Sequence, residues 1–429
     1  MNMNDRPHHS DSATRTDWDA IRTQILLDPT IVNLNTGSFG PLPRSVFERV
    51  TELRTRLAAE PTHFFVRQMP PLLWQARERL AAFLGTAPER LVFTSNVSAA
   101  INLVASGLMI ASPGEILLTD HEYVAMHWCW ERACQKRGLT LRTFPLPSMA
   151  DNPGKIVDAA VQAMTPSTRL LFFSHVLSPT GLVLPAAELC AEARKRGITT
   201  VVDGAHAPAM IPLHVDRVGA DFYTGNCHKW LLAPTGAGFL VVRAGNEDRL
   251  EPLHVSWGYR PDQYPLGEQG AARRGPDAPD PFGSTARTRY LEFEGTRDIC
   301  PWLAVPNAID YQAEIGVEMI RGRIAELVAY TRRRIGSLGL KLATPSTAGV
   351  HGSMTAFELP FHGHVKAAAL RQEIWKHRIE VPIVERPDRL LLRVSTHFYN
   401  THEEVDRLAD VLPDALQASG GAGAAPRPG

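Results

Sequence analysis

One lysine in this chain stands where it could act as a nucleophile. In the segment 221–230, Asp-Phe-Tyr-Thr-Gly-Asn-Cys-His-Lys-Trp, Lys229 follows a polar, glycine-containing turn and precedes the apolar run Trp230, Leu231 and Leu232. Partial desolvation lowers an amine's pKa and frees its lone pair, so Lys229 could form a Schiff base with a carbonyl. Taken alone, a lysine at a loop edge is more often a solvated charge. Lysine is scarce here, however: of 45 basic residues only seven are lysines, at 136, 155, 195, 229, 341, 366 and 376.

Two further elements give Lys229 a context. Upstream, residues 199–206 read Thr-Thr-Val-Val-Asp-Gly-Ala-His, a β-branched strand with Asp203 at its carboxyl end. A carboxylate near a Schiff-base lysine is what pyridoxal phosphate needs: it keeps the pyridine nitrogen protonated, so the ring can accept electrons from Cα of an amino acid. In isolation, Asp203 would read as a cap or turn residue. Residues 91–104 form a strand, a hydroxyl-rich turn (Thr94, Ser95, Asn96) and a helix opening at Val97 and Ser98. Free backbone amides and the helix dipole make an anion seat there, to which Ser98 can add a hydroxyl. An N-cap without a ligand is the simpler use of such an element.

These groups need a scaffold, and the pattern supplies one. Strands are predicted at 90–94, 115–119, 139–144, 169–175, 199–203, 221–224 and 238–243, with helical patterns between them. One is 185–196, which opens on Pro185 and stops at Gly197. The alternation predicts an α/β fold with a mainly parallel seven-stranded sheet flanked by helices, which places ligands beyond the carboxyl ends of its strands. After a Pro-, Gly-, Arg- and Asp-rich stretch at 259–290, expected to be a mobile loop, helices over 302–337 and strands near 340–343, 354–359 and 390–395 predict a smaller C-terminal α+β domain.

Composition excludes several classes of function. The 429 residues carry 45 basic and 45 acidic side chains, so net charge gives no case for nucleic acid or an anionic membrane as partner. Five scattered cysteines (129, 134, 190, 227, 300) without a Cys-x-x-Cys pair argue against a disulfide framework or a thiolate zinc site and suit a reducing cytoplasm. The His121 to His127 spacing does not put both rings on one helical face, so no metal site is read there. The first thirty residues lack an apolar stretch and no run of about 18 apolar residues occurs, so a cytoplasmic protein is expected.

In order along the chain, Asn35-Thr-Gly-Ser-Phe-Gly-Pro-Leu-Pro43, Asp203-Gly-Ala-His206, Gly225-Asn-Cys-His-Lys-Trp230 and Glu294-Gly-Thr-Arg-Asp298 resemble the class V aminotransferase group of pyridoxal-phosphate enzymes, fold type I, in its isopenicillin N epimerase-like branch. The resemblance spans residues 32–412. It implies a segment 15–45 packing on the small domain, a large cofactor-binding domain over 46–290 and a small domain over 291–418, with disordered tails at 1–14 and 419–429. It further implies Lys229 as the Schiff-base lysine, Asp203 as the partner of the pyridine nitrogen and His206 near the ring's phenolic oxygen. Ser178 stands where related enzymes often carry an asparagine that contacts this oxygen, and Thr180 is the alternative. The phosphate would be held by Val97, Ser98, Asn226 and His228. Tyr123, with His121 as runner-up, would stack on the cofactor.

Arg393 matches the arginine that grips the substrate carboxylate, and a planar guanidinium fork suits that task on physical grounds as well. Gly295-Thr296 would reach the phosphate of a neighbouring subunit, so the resemblance implies a homodimer with a small amino-acid substrate. The reaction itself is left open. An epimerase-like activity at Cα comes first; a carbon–sulfur β-lyase, a decarboxylating deaminase of a cysteine S-conjugate and an aminotransferase are alternatives. Epimerisation needs a second acid/base opposite Lys229, for which Tyr259 and His397 are candidates. Cysteine desulfurases need a mobile cysteine shortly before the carboxylate arginine, and residues 378–384 contain none, so that activity is not expected.

Overall fold

The computed structural model describes residues 16–150, 152–260, 276–360 and 366–420. Thirteen strands are β1 (Val32–Asn33), β2 (Leu91–Thr94), β3 (Glu115–Thr119), β4 (Thr140–Phe144), β5 (Thr168–Ser174), β6 (Thr199–Gly204), β7 (Phe222–Asn226), β8 (Gly238–Val242), β9 (Lys341–Leu342), β10 (Met354–Leu359), β11 (Ile379–Glu380), β12 (Ile383–Glu385) and β13 (Leu390–Ser395). The large sheet runs β2-β8-β7-β6-β5-β3-β4. Only β8 is antiparallel to its neighbours. This is the mainly parallel seven-stranded sheet expected from the sequence.

Both faces of the sheet are covered, which explains why its strands read as nearly unbroken apolar runs. Alternate residues feed two separate cores. Phe93, Leu117, Leu171, Phe173, Val202 and Tyr223 face one; Val92, Ile116, Leu118, Phe172, Val201 and Phe222 face the other, against helices Val97–Gly107 and Val124–Arg137. A one-residue register slip would exchange these sets, so the pairing is tightly specified.

The C-terminal part forms an antiparallel sheet, β12-β13-β10-β9, packed with helices Ala367–Trp375 and His402–Ala418 over a third core. Strands β9, β10 and β13 fall where the sequence predicts them; the short β11 and β12 were not predicted. β1 pairs in parallel with β11, Val32 opposite Ile379, which docks the N-terminal segment onto the C-terminal part.

The stretch 259–290 differs from its expected loop character. Its last residues form a helix, Ala286–Glu292, opened by a Thr285/Thr288 capping box. A buried ion pair ties this helix to helix Met69–Leu84 and a hydrogen bond ties it to β2: Glu292 accepts from Arg77 (2.6 Å) and from the Phe93 amide (2.9 Å). Residues 261–275 lie outside the described residues, as do positions 1–14 and most of 419–429, the expected disordered tails. No described helix is long and apolar enough to cross a membrane.

Candidate active site

The carboxyl ends of β2, β3, β5, β6 and β7 open on one cavity of about 420 Å³. Lys229, Asp203, His206, Asn226, His228, Val97, Ser98, Tyr123, Ser178 and Arg393 all line it. Residues from six parts of the chain are thus brought together at one cavity.

Lys229 owes its position to a loop with little freedom. The Cys227 amide donates to the Ala237 carbonyl (3.0 Å) and the Ala233 amide to the Cys227 carbonyl (3.0 Å), while Leu232 takes a left-handed φ of 60°. The Trp230 carbonyl accepts from Gln312 (2.7 Å) and from His397 Nε2 (3.0 Å). Lys229 Nζ lies 3.1 Å from His206 Nε2. Because the Trp230 indole donates to His206 Nδ1 (3.4 Å), the imidazole proton is assigned to Nε2, and Nε2–H donates to the lysine amine.

The electrostatics match that arrangement. Burial lowers the Lys229 pKa to about 7; Asp203 opposes the shift and Arg393 adds to it. Burial, then Lys229, hold His206 well below the usual histidine range, so it stays neutral. A buried amine half uncharged near neutral pH is a competent nucleophile and base.

Asp203 lies near the end of β6, and the Ala205 amide donates to its Oδ1 (2.8 Å). Burial raises its pKa, against the Ala205 hydrogen bond and the charge of Lys229. Across the cavity, Asn96 caps helix Val97–Gly107 by accepting from the Ala99 amide (2.9 Å). The Val97 amide is already spent on Asn226 Oδ1 (3.0 Å). Val97 therefore positions Asn226 and contributes no free donor, which leaves Ser98 and the Asn226 amide group at this end of the cavity. The buried His228 Nδ1 has no hydrogen-bond partner, an orphan at the position read as a phosphate contact.

Arg393, on β13, is buried with no carboxylate beside it among the described residues. Its Nη1 donates to the Ser178 carbonyl (2.8 Å) and hydroxyl (3.0 Å), and its Nη2 to Asn35 Oδ1 (3.2 Å) and Ser38 Oγ (3.1 Å). Burial lowers its pKa to about 10, so it remains a cation at neutral pH. Ser178 thus holds the arginine, which is a different role from the phenolic-oxygen contact considered for it. Gly40 is required where the N-terminal segment meets the lysine loop: its amide donates to the His228 carbonyl (2.9 Å), and a Cβ there would lie 2.1 Å from the Lys229 carbonyl oxygen.

Sequence reasoning missed several residues of the site. Ser38, Phe39, Thr235 and Gly236 line the cavity; Ser38 and Phe39 sit in the quoted motif 35–43, which was assigned no role. Trp302 braces Gly236 and β2 by donating to the Gly236 (3.0 Å) and Thr94 (3.1 Å) carbonyls. Glu122 is the least expected. Its carboxyl is buried beside Asp203 and accepts from Thr119 Oγ1 (2.6 Å) and from the amide (3.0 Å) and hydroxyl (2.5 Å) of Ser174, the residue paired with Asp203. Burial raises its pKa to about 7, with Asp203 adding to the rise.

A pH signature follows. An unfolded glutamate ionises near pH 4.5, whereas folded Glu122 keeps its proton to about 7. Between those values the folded chain binds more protons, so stability falls as pH rises through this window. Glu122→Gln, which keeps the shape and, like the protonated acid, offers one acceptor oxygen to Ser174 and one donor toward Thr119 Oγ1, is expected to remove this component, worth up to about 3 kcal/mol. Urea denaturation at pH 5 and pH 8 checks it: the wild type should lose more stability between the two than the variant.

Other candidates fall elsewhere. Thr180 is fully buried away from the cavity; its hydroxyl accepts from the Leu182 amide (3.3 Å) and its carbonyl from Thr344, a packing role. His121 is held by Asp120 (2.6 Å) and Arg389 (3.0 Å) and does not line the cavity, whereas Tyr123 does. His397 has both ring nitrogens engaged, by the Trp230 carbonyl (3.0 Å) and the Phe398 amide (2.9 Å), and Tyr259 stacks on Tyr290 at a different cavity. Neither candidate for the second acid/base reaches the site of its own chain. Thr296 is exposed and lies outside the cavity.

Pyridoxal phosphate fits these residues: an amine, a carboxylate with spare acceptor capacity, an imidazole with an unpartnered Nδ1 and a helix start converge on one pocket. Residues 32–408 match the family model described as aminotransferase class V. The chain belongs to this family. As a class V aminotransferase it is a pyridoxal-phosphate enzyme that acts at Cα of an amino acid. The class V chain is 56% identical to an isopenicillin N epimerase of Streptomyces clavuligerus and 55% identical to one of Amycolatopsis lactamdurans, covering 93% of this chain and 98% of each relative. In fold it is similar to a variant of C-DES with glycine covalently linked to its cofactor (TM-score 0.77, 23% identity, 92% of this chain and 99% of that one).

Proposed function

We propose that this chain epimerises isopenicillin N or a closely similar amino-acid conjugate, the activity for which its 56% and 55% identical relatives are named. The observation that carries the reading is a buried guanidinium without an acid partner, Arg393, opening on the same cavity as Lys229, an amine whose pKa burial lowers to about 7. Held by the residues of this cavity, pyridoxal phosphate would supply an electron sink that weakens the bonds to Cα. Arg393 holds the substrate carboxylate through its planar fork, which fixes the Cα bond to be broken. Lys229 Nζ takes the Cα proton on its own side, oriented by His206 Nε2–H. Asp203 would hold the cofactor's ring nitrogen, where a carboxylate strengthens that electron sink.

Inversion requires a proton delivered from the other side. Tyr123 supports this role: it rises from the segment after β3, separated from β7 by two intervening strands of the sheet, and lines the cavity with Lys229. The five cysteines favour no thiol chemistry. None lines the cavity, and burial pushes Cys190, Cys227 and Cys300 up to about 12 and Cys129 and Cys134 to about 11, so thiolate is scarce at neutral pH.

Incubation of the holoenzyme with isopenicillin N in heavy water tests the proposal. Both epimers should accumulate with deuterium at Cα, and Tyr123→Phe should exchange the Cα hydrogen while retaining configuration. Pyruvate with free thiol, or carbon dioxide with an aldehyde, would point instead to β-elimination or decarboxylation and overturn it. The homodimer implied by the family resemblance belongs to the same proposal. An exposed Thr296 and the exposed apolar side chains Tyr123, Trp128 and Val255 support it, and analytical ultracentrifugation measures it directly.

A further inference from the structure

A second cavity, of about 290 Å³, lies between helix Val317–Gly336 and the segment carrying Met210 and Pro212, and shares no residue with the active site. Its walls are of two kinds. Met210, Pro212, Ile324 and Val328 make an apolar floor, while Arg332, Arg321, His351 and Ser353 supply donors, and no carboxylate lines it. Arg321 is paired with Glu318 (2.5 Å), but Arg332 has no acid partner among the described residues. Arg332 Nε donates to Thr355 Oγ1 (3.4 Å) and Nη2 to the Pro345 carbonyl (3.2 Å), which anchors the guanidinium and leaves Nη1 without a partner. Ser353 is 1% exposed, lines the cavity, and its hydroxyl has no hydrogen-bond partner.

A buried hydroxyl left unpaired costs about 1–3 kcal/mol, so a cavity that holds one together with a guanidinium lacking an acid partner is suited to an acceptor arriving from outside. We propose that this cavity binds an organic carboxylate with a short apolar body, its oxygens accepting from Arg332 and Ser353 and its carbon chain lying on Met210, Ile324 and Val328. A planar guanidinium favours a carboxylate head. The apolar floor would be wasted on a bare inorganic anion.

Calorimetric titration of the holoenzyme with sodium hexanoate tests the proposal, with Arg393→Ala separating any binding in the active site. Ala329, exposed on the helix at the rim of this cavity, can be enlarged without disturbing a core. Hexanoate binding that survives in Arg393→Ala, is lost in Ala329→Trp at unchanged melting temperature, and weakens about 5- to 10-fold in Ser353→Ala is the expected result. Three outcomes overturn the proposal: Arg393→Ala abolishes all hexanoate binding, Ala329→Trp leaves the isotherm unchanged, or inorganic phosphate binds the Ala329-dependent site as tightly as hexanoate. Because epimerase activity is not the readout, failure here leaves the proposed reaction standing, and failure of that reaction leaves this site standing.

Discussion

Lys229→Ala is expected to lower turnover by at least about 10³-fold and to abolish the visible absorption band that pyridoxal phosphate acquires on linkage to a protein amine. The size follows from the double duty of one nitrogen, which both links the cofactor and moves the Cα proton. The apoprotein should not be destabilised, since the substitution removes a buried amine whose charged form the site disfavours. A melting curve beside the spectrum separates loss of chemistry from loss of fold. Retention of the band in the variant would refute the assignment of Lys229.

The same amine sets a pH dependence. With its pKa lowered from 10.5 to about 7, Lys229 is half uncharged near neutrality, so cofactor capture by the apoprotein should accelerate with a midpoint near pH 7. The stability of the apoprotein should move in the same sense. Above pH 7 the folded lysine is already neutral while the unfolded one still holds its proton, so this residue's contribution rises as pH climbs from about 7 to 10.5. A capture rate that keeps rising to pH 10 would show an ordinary solvated lysine.

Arg393→Lys is expected to lower kcat/KM for a carboxylate substrate by about 10²- to 10³-fold, equivalent to about 3–4 kcal/mol, although it conserves the charge. The fork would be lost, and with it the orientation of Cα. Because Arg393 also binds Ser178, Asn35 and Ser38, the variant could misplace those segments, so a control is needed. A substrate amide, which lacks the carboxylate charge, provides it. The variant should treat the amide nearly as the wild type does, and an equal loss on acid and amide would assign Arg393 a purely structural part.

The contrast between what the sequence showed and what it hid has a physical origin. Strands β3, β10 and β13 were legible because each is set by a local run of strand-forming residues between turn signals. Lys229 and Asp203 were legible because their chemistry is rare at such positions. The helix Ala286–Glu292 was not, since much of its anchorage is a buried ion pair with Arg77, distant in sequence. Strand β11 exists through pairing with β1, far away along the chain. Glu122 carries no signal in its local sequence; only the fold shows its carboxyl sealed beside Asp203. Tyr259 and His397 failed as acid/base candidates for the same reason, because direction cannot be read from residue type.

Arg393 is bonded to Asn35 across 358 positions, and Gly40 to the carbonyl next to Lys229. On the ribosome, the first part of this pocket to emerge must therefore wait for nearly the last. Closing so long a loop costs little more entropy than closing a moderate one, since the cost grows only with the logarithm of length. Its timing is another matter. A nascent chain carrying the complete seven-stranded sheet would still lack the carboxylate clamp, so a translation-arrested chain ending before β13 should neither hold substrate by its carboxylate nor shelter residues 35–40 from protease.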